Sequence, residues 1–224
     1  MTNFSANKIR SVIFDLDGTL LDSMMVWVNV DRDFLEENGK VYTPDVSEAV
    51  KKMTVTDSAN YFRTRFDLDM TTDEIIDRIE SMVSEKYRYT LPLKDGAFEA
   101  VKALHDGGIK MCVATATYNS LADAALKRLK IYDMLEFVIT CHDAGAGKES
   151  PDIFLKAADM LGTLPEETAV AEDSLHCLQT AADAGFFTVG VYDHFSAHEK
   201  EAAARTADMT VNKLTELSDI ILGK

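Results

Sequence analysis

Short apolar runs recur along this chain, and amphipathic stretches of helical spacing separate them in its C-terminal part. The runs are Ser11–Leu16, Lys110–Thr115, Phe137–Cys141, Ala169–Ala171 and Thr188–Val191. Helical patterns occupy Asn119–Leu129, Asp152–Leu161 and Ser174–Ala184, and Gly107-Gly108 and Gly185 fall where helix C-caps should precede a strand. Short, β-branched-rich runs that alternate with helices build βαβ units, so the pattern predicts an α/β fold with a mainly parallel sheet. One region breaks the rhythm. From about Ser23 to Tyr89 every periodic segment is helical: Met24, Trp27, Val28, Val30, Phe34 and Leu35 mark the first, and Asp57–Phe66 and Asp73–Tyr89 follow. Thr56 and Thr72 precede the latter two as capping residues. The chain returns near Leu91-Pro92-Leu93. The expected organisation is a core of residues 1–22 and 91–224, with an all-helical lobe, residues 23–90, inserted after the first strand.

The first run ends abruptly in Asp15 and Asp17, followed by Gly18-Thr19. Side chains at i and i+2 of a strand point to one side, so the two carboxylates lie near each other. Paired acids at the end of a buried strand are costly unless a cation or a proton compensates them. Ligands of open α/β sheets bind in the crevice outside the carboxyl ends of the strands, and three further features fall there. Thr115 ends the second run. Lys148 follows the loop His142–Gly147, just before Pro151 opens a helix. Glu172-Asp173-Ser174 ends the run at Ala169–Ala171. Taken singly, each has a bland reading. Asp-Gly is common in turns, a strand-end threonine reflects β-propensity, a loop lysine is usually solvated, and Asp173 or Ser174 would cap the next helix.

In this order the four elements resemble the haloacid dehalogenase-like superfamily of aspartyl phosphotransferases, and the likeness spans essentially the whole chain. The lobe inserted after the first motif is similar to the helical cap of the branch containing phosphoglycolate phosphatase and β-phosphoglucomutase. The resemblance implies a Rossmann-like core with helices on both faces of the sheet. It also implies roles. Asp15 is the nucleophile, which attacks phosphorus and splits one hard displacement into two easier ones. Asp17 protonates the leaving alkoxide and then activates water. The Thr115 hydroxyl, the backbone at Ala116 and Asn119 at the next helix N-terminus hold phosphoryl oxygens, and Lys148 neutralises charge on Asp15 and the phosphoryl group. Mg²⁺ prefers hard oxygen ligands, here Asp15, Asp173 and the Asp17 backbone carbonyl, with Glu172 as a weaker candidate.

Asp17 separates reactions within the superfamily, because a halide leaves without protonation and an alkoxide does not. Hydrolysis of a small phosphorylated metabolite, a phosphosugar or similar phosphomonoester, is therefore expected. The alternative is a β-phosphoglucomutase-like mutase. That group shows Gly-Val where this chain has Gly18-Thr19, a cap segment with Gly and Arg where it has Lys51–Asp57, and Lys-Asn where it has Tyr118-Asn119. The phosphonatase branch normally lacks the first motif in this form. A non-catalytic phosphate-binding protein should have lost Asp15, Asp17, Lys148 or Asp173, and all are present. Trp27 is expected to pack in the cap; the sharper alternative is that it lines the cap–core cleft and meets substrate, which Tyr61, Arg63 or Arg65 would help select.

Composition limits the partners. Lys and Arg total 23 against 38 Asp and Glu, a formal charge of -15, which repels nucleic acid and anionic membrane. No apolar stretch approaches bilayer-spanning length. Met1–Asn7 lacks the layout of a signal peptide, and three cysteines without metal-site spacing suit a reducing compartment, so cytoplasm is expected. His194 and His198 are four apart, but no third ligand accompanies them, so they read as surface residues.

Overall fold

The computed structural model describes residues 8–50, 53 and 55–224. Of the cap segment compared with the mutases, Lys51, Lys52 and Thr54 lie outside the described residues, as does the stretch Met1–Asn7. In chain order the elements begin with β1 (Ser11–Phe14), α1 (Met24–Glu37), α2 (Pro44–Val50), α3 (Val55–Phe66), α4 (Thr72–Tyr89) and α5 (Ala97–Asp106). Next come β2 (Lys110–Thr115), α6 (Asn119–Arg128), β3 (Phe137–Thr140), α7 (Cys141–Ala144), α8 (Asp152–Leu161) and β4 (Thr168–Glu172). The chain closes with α9 (Leu175–Asp183), β5 (Phe187–Val191), α10 (Lys200–Thr206), β6 (Met209–Val211) and α11 (Leu214–Leu222). These form two compact units, one with the residues up to Ser23 and Leu91–Lys224, the other Met24–Thr90.

The first unit is built on a six-stranded sheet in the order β3-β2-β1-β4-β5-β6, with every pair parallel. Parallel neighbours need crossovers, which place helices on the sheet faces and bury strands on both sides. Ile13, Cys112, Ala114, Ile139 and Val170 pack against Ile153, Phe154, Ala157 and Leu161 of α8 and Cys177 and Ala181 of α9. The intervening Val12, Phe14, Met111 and Val113 are equally buried and point to the opposite face. There α5 packs on β2 and against α11. The free cysteines Cys112 and Cys177 are buried, and burial pushes both thiols up, as expected of small core hydrophobes.

Two strands are shorter than their apolar runs suggest. β1 stops at Phe14 because the chain turns: the amides of Leu20 and Leu21 both bond to the Leu16 carbonyl, at 3.0 and 2.8 Å. β3 stops at Thr140, whose hydroxyl accepts the Asp143 amide and starts α7, so Cys141 is helical.

Among the described residues every element of the second unit is a helix. Phe34, Leu35, Val46, Ala59, Phe62 and Ile75 form its buried centre, with the Phe34 and Phe62 rings 6.0 Å apart. The cap of α4 is Thr71, not Thr72, which is the first helical residue. Thr71 accepts the Glu74 amide while Glu74 reaches back to the Thr71 amide, a reciprocal capping box. Thr56 likewise sits inside the first turn of α3 rather than before it.

Candidate active site

The site begins where β1 ends. The Asp15 amide continues the ladder to the Ala171 carbonyl at 2.9 Å, which sets Asp15 beside the end of β4. The following turn needs Gly18, whose φ of 86° lies in the left-handed region. A Cβ on Gly18 would sit 2.6 Å from Asp173 Oδ2, so the bare backbone is what lets the Asp173 carboxylate approach.

Lys148 enters from the loop after α7. Its ammonium donates to Asp15 Oδ1 and, at 2.8 Å, to Glu172 Oε1. All three side chains are nearly excluded from solvent. Glu172 also accepts the Ser174 amide at 3.1 Å, so its carboxylate, rather than that of Asp173, serves the start of α9. Ser174 occupies the N-cap position but makes no side-chain cap bond there; its hydroxyl pairs with His176 Nδ1 at 2.7 Å.

Asp15, Glu172 and Asp173 each offer an oxygen within 4.8 Å of the others. Three carboxylates against the one Lys148 ammonium leave two negative charges in excess, as a divalent cation would balance. Without a cation the group must share protons. Burial, with Glu172 close by, pushes Asp15 up to about 7 despite Lys148. Burial, then Glu172 and Asp15, pushes Asp173 up to about 9. Burial would raise Glu172 too, but the Lys148 ammonium holds it below the usual carboxylate range. Lys148 follows the same logic: burial lowers it, and Asp15 and Glu172 more than reverse this.

Asp17 is held differently. Its Oδ1 accepts the Ser23 hydroxyl and its Oδ2 the Thr117 hydroxyl, both at 2.6 Å. Thr115 is buried and its hydroxyl accepts the Thr117 amide at 3.0 Å. Sequence reading missed Ser23 and Thr117; the signal for the latter was a second hydroxyl two residues beyond the β2 end. Ala116 and Asn119 are exposed, Asn119 opening α6. Trp27 lies in the helical unit, where its indole N–H donates to the Tyr87 hydroxyl at 3.0 Å, and the residue is 42% exposed. His194 stacks edge-on against Phe195, and His198 lies by Glu199 on an exposed turn.

A parallel sheet of this order, with an acidic group and a buried lysine gathered at the carboxyl ends of its central strands, defines a doubly wound α/β protein with its site at the strand ends. The profile of the haloacid dehalogenase-like hydrolases matches residues 12–191, and the chain belongs to that family. It is similar to a phosphorylated carbohydrates phosphatase of Thermotoga maritima, 23% identical over 213 residues that cover 95% of this chain and 98% of the relative. A validoxylamine A 7'-phosphate phosphatase of Streptomyces hygroscopicus subsp. limoneus is 27% identical over 216 residues, 93% of this chain and 95% of its own. Among solved structures, a HAD family hydrolase of Deinococcus radiodurans R1 with bound phosphate and sodium has the same fold. Its TM-score is 0.76, with 22% identity and coverage of 97% of this chain and 96% of that one. Among the described residues, no helix is long and apolar enough to cross a membrane.

Proposed function

We propose that the chain is a Mg²⁺-dependent phosphatase that hydrolyses a small phosphomonoester, a phosphosugar or similar metabolite, through an aspartyl-phosphate on Asp15. The observation that carries this reading is the shared ammonium: Lys148 binds Asp15 and Glu172 within an acidic group that Asp173 completes. Both curated relatives named above are phosphatases of phosphorylated small molecules, which supports the reaction class.

Asp15 attacks phosphorus as the ester P–O bond breaks, and Asp17 gives its proton to the departing alkoxide. Asp17, now ionised, takes a proton from water. The water oxygen bonds to phosphorus as the P–O bond to Asp15 breaks, releasing inorganic phosphate and restoring the nucleophile. The Ser23 and Thr117 hydroxyls orient the Asp17 carboxyl group. Lys148 neutralises Asp15 and the phosphoryl oxygens, while Thr115, Ala116 and Asn119 grip them. Asp15 and Asp173 would hold Mg²⁺, with the Asp17 carbonyl and, more weakly, Glu172, which is already paired to Lys148. Bound there, the ion supplies neutralisation of the carboxylates and phosphoryl oxygens.

Phosphate release from a metabolite panel tests this, measured with Mg²⁺, with EDTA and in Asp15→Asn. EDTA should abolish turnover, and the Asn variant should lose more than about a thousandfold in kcat. Undiminished turnover in the variant overturns the aspartyl-phosphate route. Conversion of a hexose 1-phosphate to its 6-phosphate faster than to free phosphate would replace hydrolysis by the mutase reaction.

A further inference from the structure

A second lysine bonds to the same turn. Lys94 lies just after Leu93, which bridges to Leu21 at the close of the Asp15–Leu21 turn. Its ammonium donates to the Gly18 carbonyl at 2.6 Å, the Tyr192 carbonyl at 2.8 Å and Asp193 Oδ2 at 2.8 Å. An ammonium has three protons, so these bonds use them all and leave none for a substrate. The pair is largely dry, with the Lys94 side chain 15% and the Asp193 side chain 5% exposed. Asp193 is pinned in turn, its Oδ1 accepting the Phe195 amide at 2.8 Å.

What Lys94 holds is Gly18, and Gly18 is the wall against which the Asp173 carboxylate rests. The Gly18 amide is tied to the Leu21 carbonyl at 3.0 Å, and its carbonyl to Lys94, so the glycine is fixed at both ends. A bond from an ammonium is about twice as strong as one between neutral groups. Lys94 thus couples the turn after β1 to the loop after β5, with Asp173 seated against that turn.

We propose that Lys94 is a positioning residue that sets the Asp173 carboxylate for the divalent cation by clamping Gly18 to Asp193. This rests on the phosphatase reading of the site. Groups that orient a metal ligand typically change metal affinity about 10- to 100-fold when removed, and Lys94 would do so through Gly18. A lysine that merely stabilised the fold would lower the melting temperature and leave that affinity alone.

The experiment is calorimetric titration of metal-free protein with Mg²⁺, alongside kcat and KM, for wild type, Lys94→Met, Asp193→Asn and the double variant. Lys94→Met should weaken Mg²⁺ binding about 10- to 100-fold, with substrate KM at saturating Mg²⁺ within about twofold of wild type. The double variant should match Lys94→Met rather than sum the single losses, because the two residues act as one clamp. Lys94→Met leaves Asp193 buried without its cation, so the double variant, which removes both charges, decides the matter if the single one fails to fold. Mg²⁺ affinity within about twofold of wild type in the folded variant overturns the inference alone. Failure of the wild type to bind Mg²⁺ overturns the phosphatase reading and this inference together.

Discussion

Gly18 carries two demands that no other residue meets together. Its φ of 86° disfavours any side chain, and its α-carbon faces a carboxylate that a methyl group would strike at 2.6 Å. Gly18→Ala must therefore move the turn, Asp173 or both. The expected result is a folded protein with kcat and Mg²⁺ affinity each lowered by about 100-fold, the cost of misplacing a reacting group by roughly 1 Å. Circular dichroism with a Mg²⁺ titration checks this, and wild-type affinity in the variant would refute it. Asp15, Asp17, Thr115, Glu172 and Asp173 were legible as candidates because each ends or follows an apolar run at a carboxyl edge, and Lys148 because its loop follows such a run, in an order with a known likeness; the structure brings Asp15, Lys148, Glu172 and Asp173 together. Sequence reading could not reach Ser23, Thr117 or Lys94. A hydroxyl or a lysine in a loop means nothing until its partner is seen, and Lys94 finds Gly18 across 76 positions.

The helical unit depends on how its longest helix starts. Thr71 and Glu74 satisfy each other's backbone amides at the head of α4, and Tyr87 near its end receives the Trp27 indole. Losing such a cap costs about 1 kcal/mol. Thr71→Ala should lower the unfolding free energy by that amount, seen as a lower urea midpoint at an unchanged slope, followed by fluorescence of Trp27, the chain's one tryptophan. An unchanged midpoint would show that the box contributes nothing. The run of Thr71-Thr72 explains why the cap was misread by one position: either threonine can precede a helix, and only Thr71 has an acid three residues on. The long elements were readable from their period. β6 has three residues with half-exposed Met209 and exposed Thr210, and α2 has seven residues, so neither is long enough to show a pattern.

Charge links the site to the stability of the core. Asp15 and Asp173 bind protons more tightly folded than unfolded, with values of about 7 and about 9 against an ordinary 3.8. Over that range the folded state holds more protons, so their contribution is fully present below 3.8 and is lost as pH rises through about 7 and then about 9. Metal-free protein should thus melt at progressively lower temperature as pH rises through this window. In the proposed function Mg²⁺ would replace those protons, so the melting-temperature gain it confers should be larger at about pH 8 than at about pH 6. A gain that is constant with pH would refute the coupling. The sheet order has a mechanical consequence of its own. β1 lies between β2 and β4 and is hydrogen-bonded on both edges, so the strand leading into Asp15 cannot fray from a side. Its amides exchange with solvent only when the sheet itself parts. Asp15, which in the proposed reaction would form and break a covalent bond in every turnover, thus follows directly on a strand held at both edges.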